Sequence, residues 1–319
     1  MGSANSSEVK GFWLCPLYSF DGYSGNVELA EGIQIKSFSA LPRLSDYIQK
    51  QTHDFYGQWD DPSEYNGVLL LPYCAESKGV SDPAELARIG YLESDRASDL
   101  LFDLVTALRL CHEGKITAGP LVSSSINLDS QWAFGSTVVW TSVSQRDFLQ
   151  QEPKYVLHQT DVLHVNELVS NLAKLRKSKK FDAVDIALRR FNSAYHGNIE
   201  DRLIDQMIAF ESLYLGDDKE LTYKLALRAV FLIGKTKDKR YTIFGDMKKA
   251  YRYRSRIVHG DNPPSRDELR AIVPKTEEYL RQSIRRFLLL LSQGMSLNEM
   301  RNKLDENILK NGKPLALGK

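Results

Sequence analysis

Cysteine is scarce in this chain: three residues in 319, scattered as Cys15, Cys74 and Cys111. An odd, unclustered set suits neither a disulfide framework nor a metal-ligand spacing, so the three read as buried thiols. Long apolar runs are missing too, and no stretch approaches the roughly 18 residues of a membrane-spanning helix. The opening MGSANSSEVK has no charged segment followed by an apolar one, so no secretory signal is read. Met1-Gly2-Ser3 with Ser6 fits a myristoylation pattern or a plain unstructured start. The expectation is a cytoplasmic protein with no membrane partner. The 20 glycines build no GxxxxGK(S/T) loop and no convincing GxGxxG turn. His53, His112, His158, His164 and His196 show no spacing that suggests a metal or a triad. No metal and no cofactor is expected.

What the chain does have is two halves of opposite charge. Its length suits two domains. Residues 1–160 carry 11 Lys+Arg against 20 Asp+Glu, net −9, and residues 161–319 carry 31 against 21, net +10. The basic half is the candidate for a polyanionic partner. The acidic half would dock on it or recognise something else.

The first half reads as α+β. GFWLCPLYSF and GIQIKSF, within 11–38, are rich in aromatic and β-branched residues, with Asp21-Gly22 and Glu31-Gly32 as turns. Residues 41–65 read as loop with a short helix, and Val68–Tyr73 as a buried strand. Leu100, Leu101, Leu104, Val105, Leu108 and Cys111 recur at helical spacing, in a helix begun by Ser94 or Asp95 and stopped by Gly114. Ile116–Val122 and Thr137–Ser142 read as further strands. No catalytic motif stands out over 1–160, which leaves this domain as a sensor or a surface for a protein partner. Residues 161–180 read as a helical bridge carrying Leu163, Leu168, Leu172 and Leu175. It ends in the basic run Lys174, Arg176, Lys177, Lys179 and Lys180.

From Phe181 the period is helical. Phe181, Val184, Leu188, Phe191 and Tyr195 form one apolar stripe, and Leu203, Met207, Phe210 and Tyr214 a second, ended by Gly216. Leu221, Leu225, Ala229 and Leu232 form a third, ended by Gly234. Lys235–Arg240 reads as a basic loop. A fourth helix runs from about Ile243 to His259, where Gly260, Asp261, Asn262, Pro263 and Pro264 stop it. Ser265 with Glu268 caps a fifth helix, in which Pro274 is expected to cause a kink or an early break. Short connections between such helices predict an all-α bundle over 181–294. A C-terminal helix, capped by Ser296 and Glu299, and a tail follow over 295–319.

The fourth helix is the informative one. Nine basic residues fall between Lys235 and His259, with only Asp238 and Asp246 against them, and Tyr241, Phe244, Tyr251 and Tyr253 are interleaved. Cations neutralise phosphates and aromatic faces stack on unpaired bases. Lys239, Arg240, Lys248, Lys249, Arg252 and Arg256 are the candidate RNA contacts. The run Tyr251-Arg252-Tyr253-Arg254-Ser255-Arg256-Ile257-Val258-His259-Gly260 resembles the Arg-x4-His signature of HEPN domains, and its RSxIVHG form is similar to the Apea-like branch. IALRRFN at 186–192, EDRLID at 200–205, AFESLYL at 209–215 and YKLALRA at 223–229 match the same branch in the same order. The resemblance covers about Phe181 to Leu291.

The resemblance implies a small helical bundle, usually a homodimer, whose paired motifs meet in a cleft. Many such proteins cut RNA without a metal, in toxin–antitoxin and antiphage systems. Carried onto this chain, His259 is the general acid/base and Arg254 the phosphate ligand. Ser255 after the motif arginine is usual in the Apea-like form, where other branches often carry Asn, Asp or His. Ser255 and Glu211 are the supporting residues. Gly-Asp-Asn follows His259, not the His-x-Tyr of toxins silenced by tyrosine modification, so that control is not expected. The implied function is a metal-independent endoribonuclease, an effector of bacterial antiphage defence or of a toxin-like stress response. The alternative is a non-catalytic HEPN module that binds RNA, a nucleotide or a protein partner.

The chemistry suits the pair. Attack of a ribose 2′-OH on the adjacent phosphate needs a proton acceptor near neutral pH, which histidine provides. A planar guanidinium holds two oxygens of the transition state at once. The spacing is less obliging, because five residues along an ideal helix turn two side chains about 140° apart. They converge only if the helix unwinds near His259, or if two subunits supply one residue each. Without catalysis, His259 would complement the helix dipole, and Arg254 would pair with Glu211 or Asp205. Glu200, Asp201, Arg202 and Asp205 read as salt-bridging residues at a helix start.

Overall fold

The computed structural model describes residues 8–22, 27–41, 65–76, 94–126, 132–139, 154–177, 182–216 and 221–310. The loop and helix expected over 42–64, the strand end at 140–142, Lys179, Lys180 and the tail from Asn311 lie outside the described residues. The chain divides into two compact units, Met1–Val169 and Ser170–Lys319. Among the described residues no helix is long and apolar enough to cross a membrane.

The first unit is built on an antiparallel sheet. Its strands are β1 (Glu8–Tyr18), β2 (Phe20–Gly22), β3 (Val27–Glu28), β4 (Gln34–Ser37), β5 (Tyr65–Glu76), β6 (Thr117–Ala118), β7 (Leu121–Ile126), β8 (Trp132–Val139) and β9 (Tyr155–Leu157). Seven of them form one sheet in the order β3-β4-β5-β1-β7-β8, with β6 on the end of β1, while β2 and β9 pair in parallel. The central pair, β1 and β5, runs in register from Glu8↔Glu76 to Leu17↔Gly67. Trp13, Leu14, Cys15 and Pro16 are buried opposite Leu71, Leu70, Leu69 and Val68, so successive side chains on both faces are covered. That is why the sequence shows a continuous apolar run here instead of alternation. Helix α1 (Ser94–Cys111) is buried at every position from Leu101 onward. The turn expected at Asp21-Gly22 falls earlier, at Ser19 with φ 52°, and Asp21 and Gly22 pair instead with Val156 and Leu157. Glu31 and Gly32 do make a turn, with φ 60° and 73°.

The division between units falls within α2 (Val162–Arg176). Its Leu168, Leu172 and Leu175 are buried as expected, but Leu163 is 77% exposed. The second unit comprises α3 (Asp182–Ser193), α4 (Ile199–Tyr214), α5 (Leu221–Ile233), α6 (Lys237–His259), α7 (Arg266–Ser292) and α8 (Leu297–Lys310). Leu188, Phe191, Leu203, Met207, Phe210, Tyr214, Leu225 and Ala229 all lie in the core. Two expectations are corrected. Lys237–Arg240 is not loop: Thr236 caps α6 by accepting the Lys239 N–H, so the helix begins well before Ile243. Pro274 does not end α7, which continues to Ser292. Both the proline and Arg270, whose carbonyl loses its usual donor, are exposed, and water can serve that oxygen.

Helix α8 belongs to the bundle, with Met300 and Leu304 wholly buried. Its Arg301 donates to the carbonyls of Leu213 and Ser212 at 3.0 and 2.8 Å. Arg228 of α5 donates to the Tyr214 carbonyl and holds Asp305 of α8 in a two-pronged pair at 2.8 and 2.7 Å. These guanidiniums satisfy the carbonyls left open at the end of α4. Arg228→Ala would strand Asp305 and a buried carbonyl together, and urea unfolding followed by the helical signal is expected to show a loss of about 2–3 kcal/mol. A loss under about 0.5 kcal/mol would mean the clamp is incidental.

Candidate nucleic-acid interface

The rotation of α6 is set by what it buries. Ile243, Met247, Ala250 and Tyr253 recur at three- and four-residue steps and are all in the core. Tyr241, Gly245, Lys248, Arg252 and His259 are exposed, and on a regular helix they fall within about 60° of arc. His259 thus shares a stripe with Lys248 and Arg252. Arg254, about 140° away from it, lies on the other side.

Arg254 is half-buried, and its Nη2 stands 3.7 Å from Glu211 Oε2 on α4. Its Nε is buried with no hydrogen-bond partner among the described residues. Tyr251, one turn before it on the same side, lies beside both, with Thr222 of α5 also in reach of its hydroxyl. Burial pushes the Tyr251 pKa up, the Glu211 carboxylate adds to that, and Arg254 partly offsets it. Glu211, Thr222, Tyr251 and Arg254 are therefore one polar cluster from three helices.

The end of α6 is sharply defined. Gly260 takes the left-handed conformation, φ 73° and ψ 11°, donating to Ile257 O at 3.3 Å, while Asp261 N–H reaches Arg256 O at 3.1 Å. This double closure is the Schellman ending, for which glycine is the residue that adopts positive φ without a Cβ penalty. The helix is regular through His259, so unwinding does not bring His259 to Arg254 within one chain. His259 is exposed, and it has no hydrogen-bond or ion-pair partner among the described residues.

The expected RNA contacts divide into two groups. Lys248, Arg252 and Lys239 are exposed. Arg240 is committed to the Gly234 carbonyl at 3.0 Å and to the Phe231 ring, and Arg256 donates Nε to the Asn262 carbonyl at 2.6 Å. Lys249, Arg252 and Arg256 all lie over the Tyr253 ring at 5.4 to 5.9 Å, which gathers three cations round one aromatic. Ser255 is half-exposed beside the stripe. Toward the start of α6, Tyr223 packs edge-on to Phe244 with Lys248 over it, and Tyr223 and Tyr241 both leave aromatic surface exposed.

The motif pattern names Arg254, Ser255 and His259 but not Tyr251 or Thr222. Tyr251 was open to inference, since three residues along a helix share a face. Thr222 carries no sequence signal. No family model, no curated protein and no solved structure matches this chain.

Tyr253 also ties α6 to α7. Its hydroxyl donates to Glu268 Oε1 at 2.6 Å while Glu268 Oε2 accepts the Ser265 N–H at 2.9 Å. These bonds, the tyrosine's first, hold the Glu268 pKa down at about 2. A depressed carboxylate stabilises the fold above its ordinary range, and that stability is lost as pH falls through the folded value. The Glu268 contribution is accordingly full above about pH 4.5 and disappears toward about pH 2. In Tyr253→Phe the Glu268 titration, followed by carboxyl NMR, is expected to move upward; an unmoved titration would show that the tyrosine does not hold it.

Proposed function

We propose that this chain is a metal-independent endoribonuclease of the HEPN type, assembled as a homodimer in which Arg254 of one copy and His259 of the other form each cleavage site. The observation that carries it is the divergence of the motif on a regular helix: His259 lies on the exposed Lys248–Arg252 stripe, and Arg254 lies about 140° round the axis. A second copy supplies what one chain keeps apart. Arg254 is equipped for an oxyanion, because Glu211 engages it loosely and Nε has no partner. Its planar fork would then hold two phosphate oxygens. Glu211 and Tyr251 orient the guanidinium, and Ser255 offers a hydroxyl next to the stripe. His259 takes the 2′-OH proton and returns one to the leaving oxygen. Lys248 and Arg252 neutralise flanking phosphates. In the cell, this activity would serve antiphage defence or a toxin-like stress response, with the first unit as sensor or partner surface.

RNA cleavage in EDTA tests the proposal directly. Wild type is expected to cut, and Arg254→Ala and His259→Ala, each folded by circular dichroism, are expected to lose at least about a hundredfold. Mixing the two dead variants separates shared sites from single-chain ones. Random exchange makes about half the dimers mixed, each with one intact site, so about a quarter of wild-type activity returns. No recovery, with exchange shown by mass, would rule out the shared site.

The same divergence supports a second reading, a HEPN module that binds RNA without cutting it. Binding would then survive His259→Ala. Lys248→Ala would flatten the dependence of log affinity on log salt by about 0.7, the contribution of one phosphate contact on a single strand. Retained binding with no cleavage by any form under activating conditions would favour this reading.

A further inference from the structure

The first unit brings together three side chains that the sequence keeps far apart. Cys111 and His112 close α1, and Asp161 ends the short turn before α2. Their Sγ, imidazole nitrogen and carboxylate oxygen all lie within 4.8 Å of one another. His112 Nε2 is 2.8 Å from Asp161 Oδ2. This imidazole–carboxylate pair, with a thiol beside it, presents three donor atoms close enough together for one ion to contact all of them. The carboxylate is itself oriented, since Asp161 Oδ2 accepts the His158 N–H at 2.8 Å, as the outer partners of metal ligands do. The His158 ring stands edge-on to His112 with centroids 6.1 Å apart, so a second imidazole borders the cluster.

The surrounding backbone fixes the two segments against each other. Lys115 bridges Lys154, and Tyr155 N–H donates to Ser19 O at 2.8 Å. Gly114, at φ 118°, lies so close to this strand that a Cβ there would stand 3.0 Å from Tyr155 Cα. The ligands are thus held by paired backbone on both sides, not by a free loop.

We propose that Cys111, His112 and Asp161 form a three-ligand site for a divalent transition metal ion, zinc above all, with the fourth position open to water or to His158. Sulfur, nitrogen and oxygen donors together suit a borderline-soft tetrahedral ion, whereas calcium and magnesium take sets made of oxygen alone. Loading deprotonates the Cys111 thiol, and its proton goes to solvent, so affinity rises with pH. The bound ion would pin the end of α1 to the start of α2. The proposal is independent of the cleavage reading, which uses none of these residues.

Cobalt reports on the site. The full chain, stripped with chelator and dialysed, is titrated with Co2+ and then with Zn2+. Wild type is expected to take one Co2+ per chain with a thiolate-to-cobalt charge-transfer band, and Zn2+ to displace it. Cys111→Ser removes the band, and His112→Gln, at a partly exposed position that keeps the fold, weakens zinc binding by at least about tenfold. Cys74→Ser changes neither. No band in folded wild type, a band that persists in Cys111→Ser, or zinc affinity unchanged in His112→Gln would each overturn the proposal and leave a histidine–aspartate cluster.

Discussion

Burial of one stripe on α6 governs the second unit. Ile243, Met247, Ala250 and Tyr253 leave water together, and each apolar side chain so buried contributes on the order of 1–3 kcal/mol. A turn of one residue, about 100°, would swing charged neighbours into the core and expose the apolar stripe. The rotation of α6 is therefore fixed by oil and not by its charges. Everything polar on the helix takes the position that remains: Lys248, Arg252 and His259 outward, Tyr251 and Arg254 toward α4 and α5. The motif residues diverge because the core leaves them no other arrangement.

Guanidiniums inside the bundle set a standard against which Arg254 can be judged. Arg281 is 2% exposed and meets Glu277, Glu278 and the Tyr195 hydroxyl. Arg202 meets Glu277 at 2.9 Å, and Arg228 meets Asp305 and a carbonyl. Each buried charge is answered by close partners, as the cost of desolvation requires. Arg254 departs from this pattern, because its carboxylate partner among the described residues stands at 3.7 Å. An incompletely answered guanidinium at the edge of the core is what a transient anion needs.

The bundle was legible in the sequence because helices with one apolar face announce themselves locally. The stripes of α3 to α6 and the stops at Gly216, Gly234 and Gly260 can be read within a few residues of each. What escaped was non-local or a matter of boundary. The start of α6 was hidden by lysines that look like loop until Thr236 is seen as a cap. Pro274 looked disruptive because exposure of its turn cannot be read from the chain. The ties between helices, Tyr253 to Glu268 and Arg228 to Asp305, join positions whose separation has no period. The cluster of Cys111, His112 and Asp161 was invisible for the same reason, since β-pairing and a bare glycine create it. In the first unit β1, β5 and α1 were readable as apolar runs, whereas strand order was not, because pairing leaves little trace in a single sequence.

Arg228 and Asp305 are 77 residues apart in the chain. During synthesis α5 and α6 leave the ribosome well before the carboxylate that neutralises this buried arginine exists. Until α8 arrives, Arg228 lacks its Asp305 carboxylate, and the Ser212 and Leu213 carbonyls lack the Arg301 guanidinium. Closure of the bundle would wait on the final described helix, and a chain halted before α8 would lack the ties that fix the end of α4.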